Sequence, residues 1–148
     1  MDKSNINIKN KKAWHDYFID EEYIAGMVLK GSEIKSIRSG KVNLAEAYCA
    51  FIDNELYVIN MHISEYIYGT HVNHEPKTDR KLLLNRREIK KLLIKLKERG
   101  YTLIPLNLFI NDKGLAKLRV GLARGKKTYD KRESLKEKDQ KREIDRSR

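Results

Sequence analysis

A chain of 148 residues suits one domain with a sizeable core and leaves little room for a second. Lys and Arg number 32 against 21 Asp and Glu, a formal net charge of +11 that points to a polyanionic partner through release of phosphate counterions. The single cysteine, Cys49, excludes an internal disulfide, and no run reaches the roughly 18 apolar residues of a membrane span.

The segment MDKSNINIKNKK has no continuous apolar core of the signal-peptide kind, so a cytoplasmic setting is expected. No stretch joins a strong apolar face to a basic one, which favours nucleic acid over an anionic membrane as the partner. Residues 1–10 are polar and rich in Asn and Lys, and are expected to be disordered, with one domain over residues 11–125. Residues 14–30 read as strand, because Tyr23, Ala25, Met27 and Leu29 alternate with Ile24, Gly26 and Val28. Asp20-Glu21-Glu22 reads as a turn before the alternation, and Gly26 marks a bulge or a close backbone approach.

Ser32 is expected to cap a short helix carrying Ile34 and Ile37 and ending at Gly40. Residues 47–52 and 55–63 flank Asp53-Asn54, a pair tolerant of positive φ, and so predict a β-hairpin. Residues 64–80 lack a period and form a long loop of functional or mobile character. Asn85 and Glu88 have capping-box spacing ahead of a helical stripe, Ile89, Leu92, Leu93 and Leu96, which Gly100 stops. Two strands follow, 102–110 and 115–123, joined by Asn111-Asp112-Lys113-Gly114. In the second, Ala116, Leu118, Val120 and Leu122 face the core, and Lys117, Arg119 and Gly121 face out.

Antiparallel strands with inserted helices predict a mainly β fold, a small Greek-key barrel of the oligonucleotide-binding type with two to three helices. Residues 126–148 hold ten Lys or Arg and six Asp or Glu, with only Tyr129, Leu135 and Ile144 as sizeable apolar groups. Such a tail cannot form a core; it is expected to be disordered when free and helical once a partner orders it.

Catalytic motifs are absent: the sequence has no phosphate-binding glycine loop, no nucleophile elbow and no dinucleotide turn. His71 and His74, with Cys49 or His62, could hold a metal only if more ligands converged, and surface or RNA-facing histidines are the favoured reading. A carboxylate pair serving a metal-dependent RNA-processing enzyme is the minor alternative. Binding without catalysis or cofactor is the expectation.

Five ordered segments carry a specific likeness: KKAWHDYFI (11–19), AGMVLKGSEIKSIRSGKVNL (25–44), HVNHEPKTDRKLLLNRREI (71–89), GYTLIPLNLF (100–109) and GKKTYDKR (125–132). Together they resemble the SsrA-binding protein family, called small protein B, the bacterial partner of transfer-messenger RNA (tmRNA) in ribosome rescue. The resemblance implies a barrel that binds the tRNA-like domain of tmRNA and a tail that occupies the decoding site and mRNA channel of a stalled ribosome. It further implies small-subunit ribosomal RNA as a partner, and the elongation factor that delivers aminoacyl-tRNA through the shared RNA.

By the same resemblance His15, Leu83, Asn85 and Lys117 fall at RNA-binding positions, with Arg80, Lys81, Lys41 and Arg119 as supporting cations. Gly125, Lys126, Lys127, Tyr129, Asp130, Lys131 and Arg132 match the decoding-site segment, where Tyr129 would stack on a base. Asn85 has a second expected role as helix cap. The chain departs from the family at Ile24, where a glutamate is usual, leaving Glu22 and Glu33 as open substitutes. A general RNA-binding translation factor is the rival binding function.

Overall fold

Alternating apolar residues put most of the chain into strands. The computed structural model describes residues 6–66 and 73–126. Their elements, in chain order, are β1 (Asn7–Lys9), α1 (Lys11–Asp16), β2 (Tyr17–Met27), α2 (Gly31–Arg38), β3 (Val42–Asn43), β4 (Tyr48–Ile52), β5 (Glu55–Ile59), β6 (His62–Ile63), β7 (Arg80–Leu83), α3 (Arg86–Lys95), β8 (Tyr101–Ile110) and β9 (Ala116–Gly125).

Six strands pair in the order β8-β4-β5-β7-β2-β9, and β9 pairs back to β8, so the hydrogen bonding closes into a ring. Every pairing is antiparallel. Each ring strand sends side chains into one core, among them Ala25, Cys49, Val58, Leu82, Leu103 and Leu118. Each buried leucine contributes on the order of 1.5–3 kcal/mol. This agrees with the mainly β expectation and its helices.

Several predicted elements are found where the local chemistry requires them. Asp53 (φ 53°) and Asn54 (φ 66°) are both left-handed, the geometry that joins two twisted strands in a two-residue hairpin, β4 to β5. The hairpin's second strand stops at Ile59, since Asn60 (φ 65°) turns the chain into β6, which pairs with β3. Asn85 caps α3: its Oδ1 accepts from Glu88 N at 2.8 Å, and the Glu88 carboxylate accepts from Asn85 N at 3.2 Å. The helix ends at Lys95, and Gly100 (φ 87°) turns the chain into β8.

Elsewhere the structure corrects the sequence reading. Residues 7–9, expected to be disordered, form β1 on the edge of β8. Asn10 fixes this segment: its backbone N–H donates to Leu106 O at 2.8 Å and its side-chain amide to Pro105 O at 2.9 Å. Residues 11–16 are helical, so residues 14–16 are not extended as expected; Ala13 packs against Ile104, Leu106 and Ala123. A helix this short is stabilised by such packing and not by propensity.

Asp20-Glu21-Glu22 lies within β2, where the register slips between Ile19 and Glu21. The bulge is therefore there and not at Gly26. Gly121, expected to face solvent, is covered; a Cβ on it would lie 3.0 Å from Leu106 and 3.1 Å from Ile19. The residue before α2 is Lys30, whose N–H donates to the Glu33 carboxylate at 2.7 Å. Ser32 does not cap; its hydroxyl meets His74 Nδ1 at 2.8 Å.

Candidate nucleic-acid interface

Strand alternation decides which predicted residues can meet a ligand. On β7, Arg80 and Leu82 are buried while Lys81 and Leu83 point out. On β2, Tyr23 and Ala25 are buried while Ile24 is exposed and Gly26 is half-buried. Pairing then aligns them: Gly26 stands opposite Leu83 on one side and Lys117 on the other, and Ile24 stands opposite Arg119. Leu83, Gly26 and Lys117 thus form a row across three strands.

A groove of about 400 Å³ runs over this row, lined by Gly26, Leu83, Lys117, Arg38 and Leu115 among others. Leu83 and Leu115 are half exposed. Neither Lys117 nor Arg38 has a carboxylate partner among the described residues. An apolar floor beside unneutralised cations suits an unpaired base with its phosphate. Asn85 follows Leu83 by two positions, and its Oδ1 is occupied by the cap, which leaves the exposed Nδ2 group to donate outward.

The supporting cations differ in what holds them. Lys81 pairs with Glu55 at 3.3 Å, both half exposed. Arg119 lies 3.4 Å from Glu22 and 5.8 Å from the Phe109 ring centroid. Lys41 is exposed beyond the end of α2 and lines no part of the groove. Of the two substitutes for the glutamate absent at Ile24, Glu22 presents its carboxylate to solvent and Glu33 does not.

Arg80 must be corrected: it is a core cation, 2 % exposed. Its Nε pairs with Glu33 at 2.5 Å, one Nη donates to Met61 O at 2.6 Å, and the other to Glu75 O and Pro76 O. This ties α2, the turn before β6 and residues 75–76 together, with all three guanidinium nitrogens donating to protein. His74 is likewise buried rather than RNA-facing: Nε2 donates to Ile63 O at 2.8 Å and Nδ1 meets the Ser32 hydroxyl. Neither nitrogen has a lone pair free for a metal. No cluster of metal-ligating side chains exists among the described residues, and His71 lies outside them. Cys49 is fully buried, and burial pushes its thiol up.

His15 belongs to a different end of the molecule. Its side chain is 82 % exposed on α1, with Nδ1 2.8 Å from Asp16. Phe18 at this end and Gly26 at the groove lie eight positions apart along β2, about 26 Å of extended strand. Here Phe18, paired with Arg124, carries that guanidinium at 5.5 Å and Lys126 Nζ at 5.2 Å from its ring centroid. Lys126 also donates to Trp14 O at 3.4 Å. Trp14 and Phe18 are exposed.

Asp20 braces the same end, accepting from Tyr101 Oη at 2.8 Å and from Arg124 at 3.2 Å. Burial alone would raise its carboxyl, but these bonds outweigh it and hold it below the usual range. The bond to Asp20 in turn pushes the Tyr101 phenol up. Sequence reasoning missed Trp14, Phe18 and Arg124; the signal was an aromatic on either side of His15, one of them facing a cation across the β2–β9 pair. Gly125 closes β9 opposite Tyr17, and Lys127, Tyr129, Asp130, Lys131 and Arg132 lie outside the described residues.

Residues 7–148 match the family described as SmpB protein. The chain is 58 % identical over 146 residues to an SsrA-binding protein of Phocaeicola vulgatus, covering 99 % of this chain and 97 % of that one. It is 56 % identical over 144 residues to that of Christiangramia forsetii, with 97 % and 92 % coverage. A solved chain from a structure named "tmRNA-SmpB: a journey to the center of the bacterial ribosome" superposes with a TM-score of 0.69 at 45 % identity, covering 82 % of this chain and 85 % of that one. With nearly the whole length matched and more than half of the residues shared with SsrA-binding proteins, the chain belongs to the SmpB family.

Proposed function

We propose that the chain binds tmRNA and brings it to stalled ribosomes in trans-translation, gripping the tRNA-like domain with the outward face of β7, β2 and β9. The closed ring of strands is read as an oligonucleotide-binding-type barrel that holds this face rigid. The observation that carries the reading is the row Leu83–Gly26–Lys117 beside Asn85, where positions matched to the family converge on one groove whose cations no described carboxylate neutralises.

The far end adds His15 to the grip on the tRNA-like domain and leads into the tail that serves the ribosome. His15, Trp14 and Phe18 sit where β9 ends at Gly125, so the basic tail starts from a surface of exposed rings and cations. From there the tail enters the decoding site and mRNA channel, with Tyr129 stacking and Lys126, Lys127, Lys131 and Arg132 on phosphate. The elongation factor joins through the shared RNA, and the work is done in the cytoplasm.

Exposed Trp14 and Phe18 also favour a rival, a general single-strand RNA binder. Competition at fixed salt between the tRNA-like domain of tmRNA and an unstructured oligonucleotide of equal length separates the two. Preference for the structured RNA is expected. Equal or tighter binding of the unstructured strand would overturn the proposal.

A further inference from the structure

Arg124, Gly125 and Lys126 carry the chain from the last strand into the basic tail. Gly125 has no side chain with which to hold this exit, so its direction rests on the residues to either side. Both are fastened to the barrel. Before the glycine, Arg124 donates from Nε and one Nη to the Asp20 carboxylate, each at 3.2 Å, and its guanidinium lies 5.5 Å from the Phe18 ring centroid. After it, Lys126 Nζ lies 5.2 Å from the same centroid and donates to Trp14 O at 3.4 Å. Trp14 is in the last turn of α1, where backbone carbonyls have no helical N–H left to accept from. No described carboxylate pairs with Lys126, so a ring face and a carbonyl are what hold its ammonium. Phe18 itself is 42 % exposed, and a ring so placed gains little from burial; the two cations it carries account for it.

We propose that Phe18 is a positioning residue for the tail: together with Trp14 O it clasps Lys126 against the end of the barrel, and so sets the direction in which the chain leaves. The inference rests on the reading that the tail works in the decoding site, and adds what aims it there. A tail aimed in advance spends less on ordering when it enters a channel, which raises its effective concentration at the entrance. The clasp uses one N–H of the ammonium and leaves the others to meet phosphate. An RNA base laid on Phe18 would compete with both cations for the ring, which makes direct stacking the rival that the test must separate.

The test uses the full chain, full-length tmRNA and stalled ribosomes. Phe18→Leu keeps apolar bulk and removes the ring face. It is expected to tag peptides about fivefold more slowly, the scale of one exposed cation–π contact, with tmRNA affinity within about twofold and melting unchanged. Phe18→Tyr restores the ring and is expected to tag at the wild-type rate. In a Lys126→Met chain, which has no ammonium to clasp, Phe18→Leu is expected to add no further loss. The free chain gives a second readout by proton NMR: the ring is expected to shift the Lys126 side-chain methylene protons upfield, and Phe18→Leu to remove the shift. A Phe18→Leu loss that persists in full on Lys126→Met would show that the ring meets RNA itself, and would overturn the clasp. Wild-type tagging by Phe18→Leu, or Lys126 protons without the upfield shift, would overturn it as well. Lower melting of Phe18→Leu, or tmRNA affinity that falls in step with tagging, would assign the ring to the fold or to the grip on tmRNA instead. If a chain ending at Gly125 tags normally, the decoding-site reading fails and the clasp falls with it; if only the Phe18 and Lys126 variants tag normally, the clasp alone is overturned.

Discussion

At the scale of single residues, the basic side chains divide by what answers their charge. Arg80 and Lys81 are neighbours in sequence, yet one is locked against Glu33 in the interior and the other pairs loosely with Glu55 at the surface. Removing one partner of a buried pair strands the other charge, which costs about 3–5 kcal/mol. Arg80→Ala is therefore expected to lower the unfolding free energy by that much in urea titration, with Lys81→Ala changing it by less than about 1 kcal/mol. Asn85 has two jobs that one substitution can separate. Asn85→Asp keeps the oxygen that caps α3 and removes the Nδ2 donor, so melting is expected to hold while tmRNA binding weakens about tenfold. Asn85→Ala loses both, and costs about 1 kcal/mol of stability as well. A melting temperature for Asn85→Asp as low as for Asn85→Ala would show that the carboxylate fails as a cap.

At the scale of elements, short-range chemistry was the most legible. The Asp53-Asn54 hairpin and the Asn85–Glu88 cap were readable because each depends on residues within four positions, and both are found. The outward row of Lys117 and Arg119 followed from period-two alternation in β9. Alternation failed where a second layer packs outside the ring. Nothing local to Gly121 reveals that Leu106 and Ile19 cover it. That difference is measurable: Gly121→Ala is expected to destabilise the chain by about 1–3 kcal/mol through overpacking, while Gly26→Ala is not. Equal melting of the two variants would remove the distinction. Residues 14–16 of α1 were read as strand for the same reason, since a six-residue helix with one buried alanine carries too weak a period to announce itself.

At the scale of the whole molecule, the sites fall into two ends eight positions apart along β2: the groove around Gly26, Leu83 and Lys117, and the Phe18 end from which β9 leads into the basic tail. Such separation makes the two contacts independent to a first approximation. A chain ending at Gly125 is therefore expected to keep tmRNA binding within a few-fold while losing peptide tagging on stalled ribosomes. Collapse of both activities together would show that the tail contributes to the grip on tmRNA.

Composition and pattern by themselves determined the basic polyanion-binding character, the mainly β class, the hairpin and cap, and, through the five segments, the family. They are properties of local spacing and summed charge, which need no knowledge of distant neighbours. Only the tertiary structure decided that Arg80 and His74 are internal fasteners, that His15 lies far from Leu83, and that Gly26 is open where Gly121 is filled. Each of those depends on which strand stands opposite which, and on what packs behind it. A buried cation and a phosphate-binding one are the same letter in a sequence; the carboxylate across the core makes them different residues.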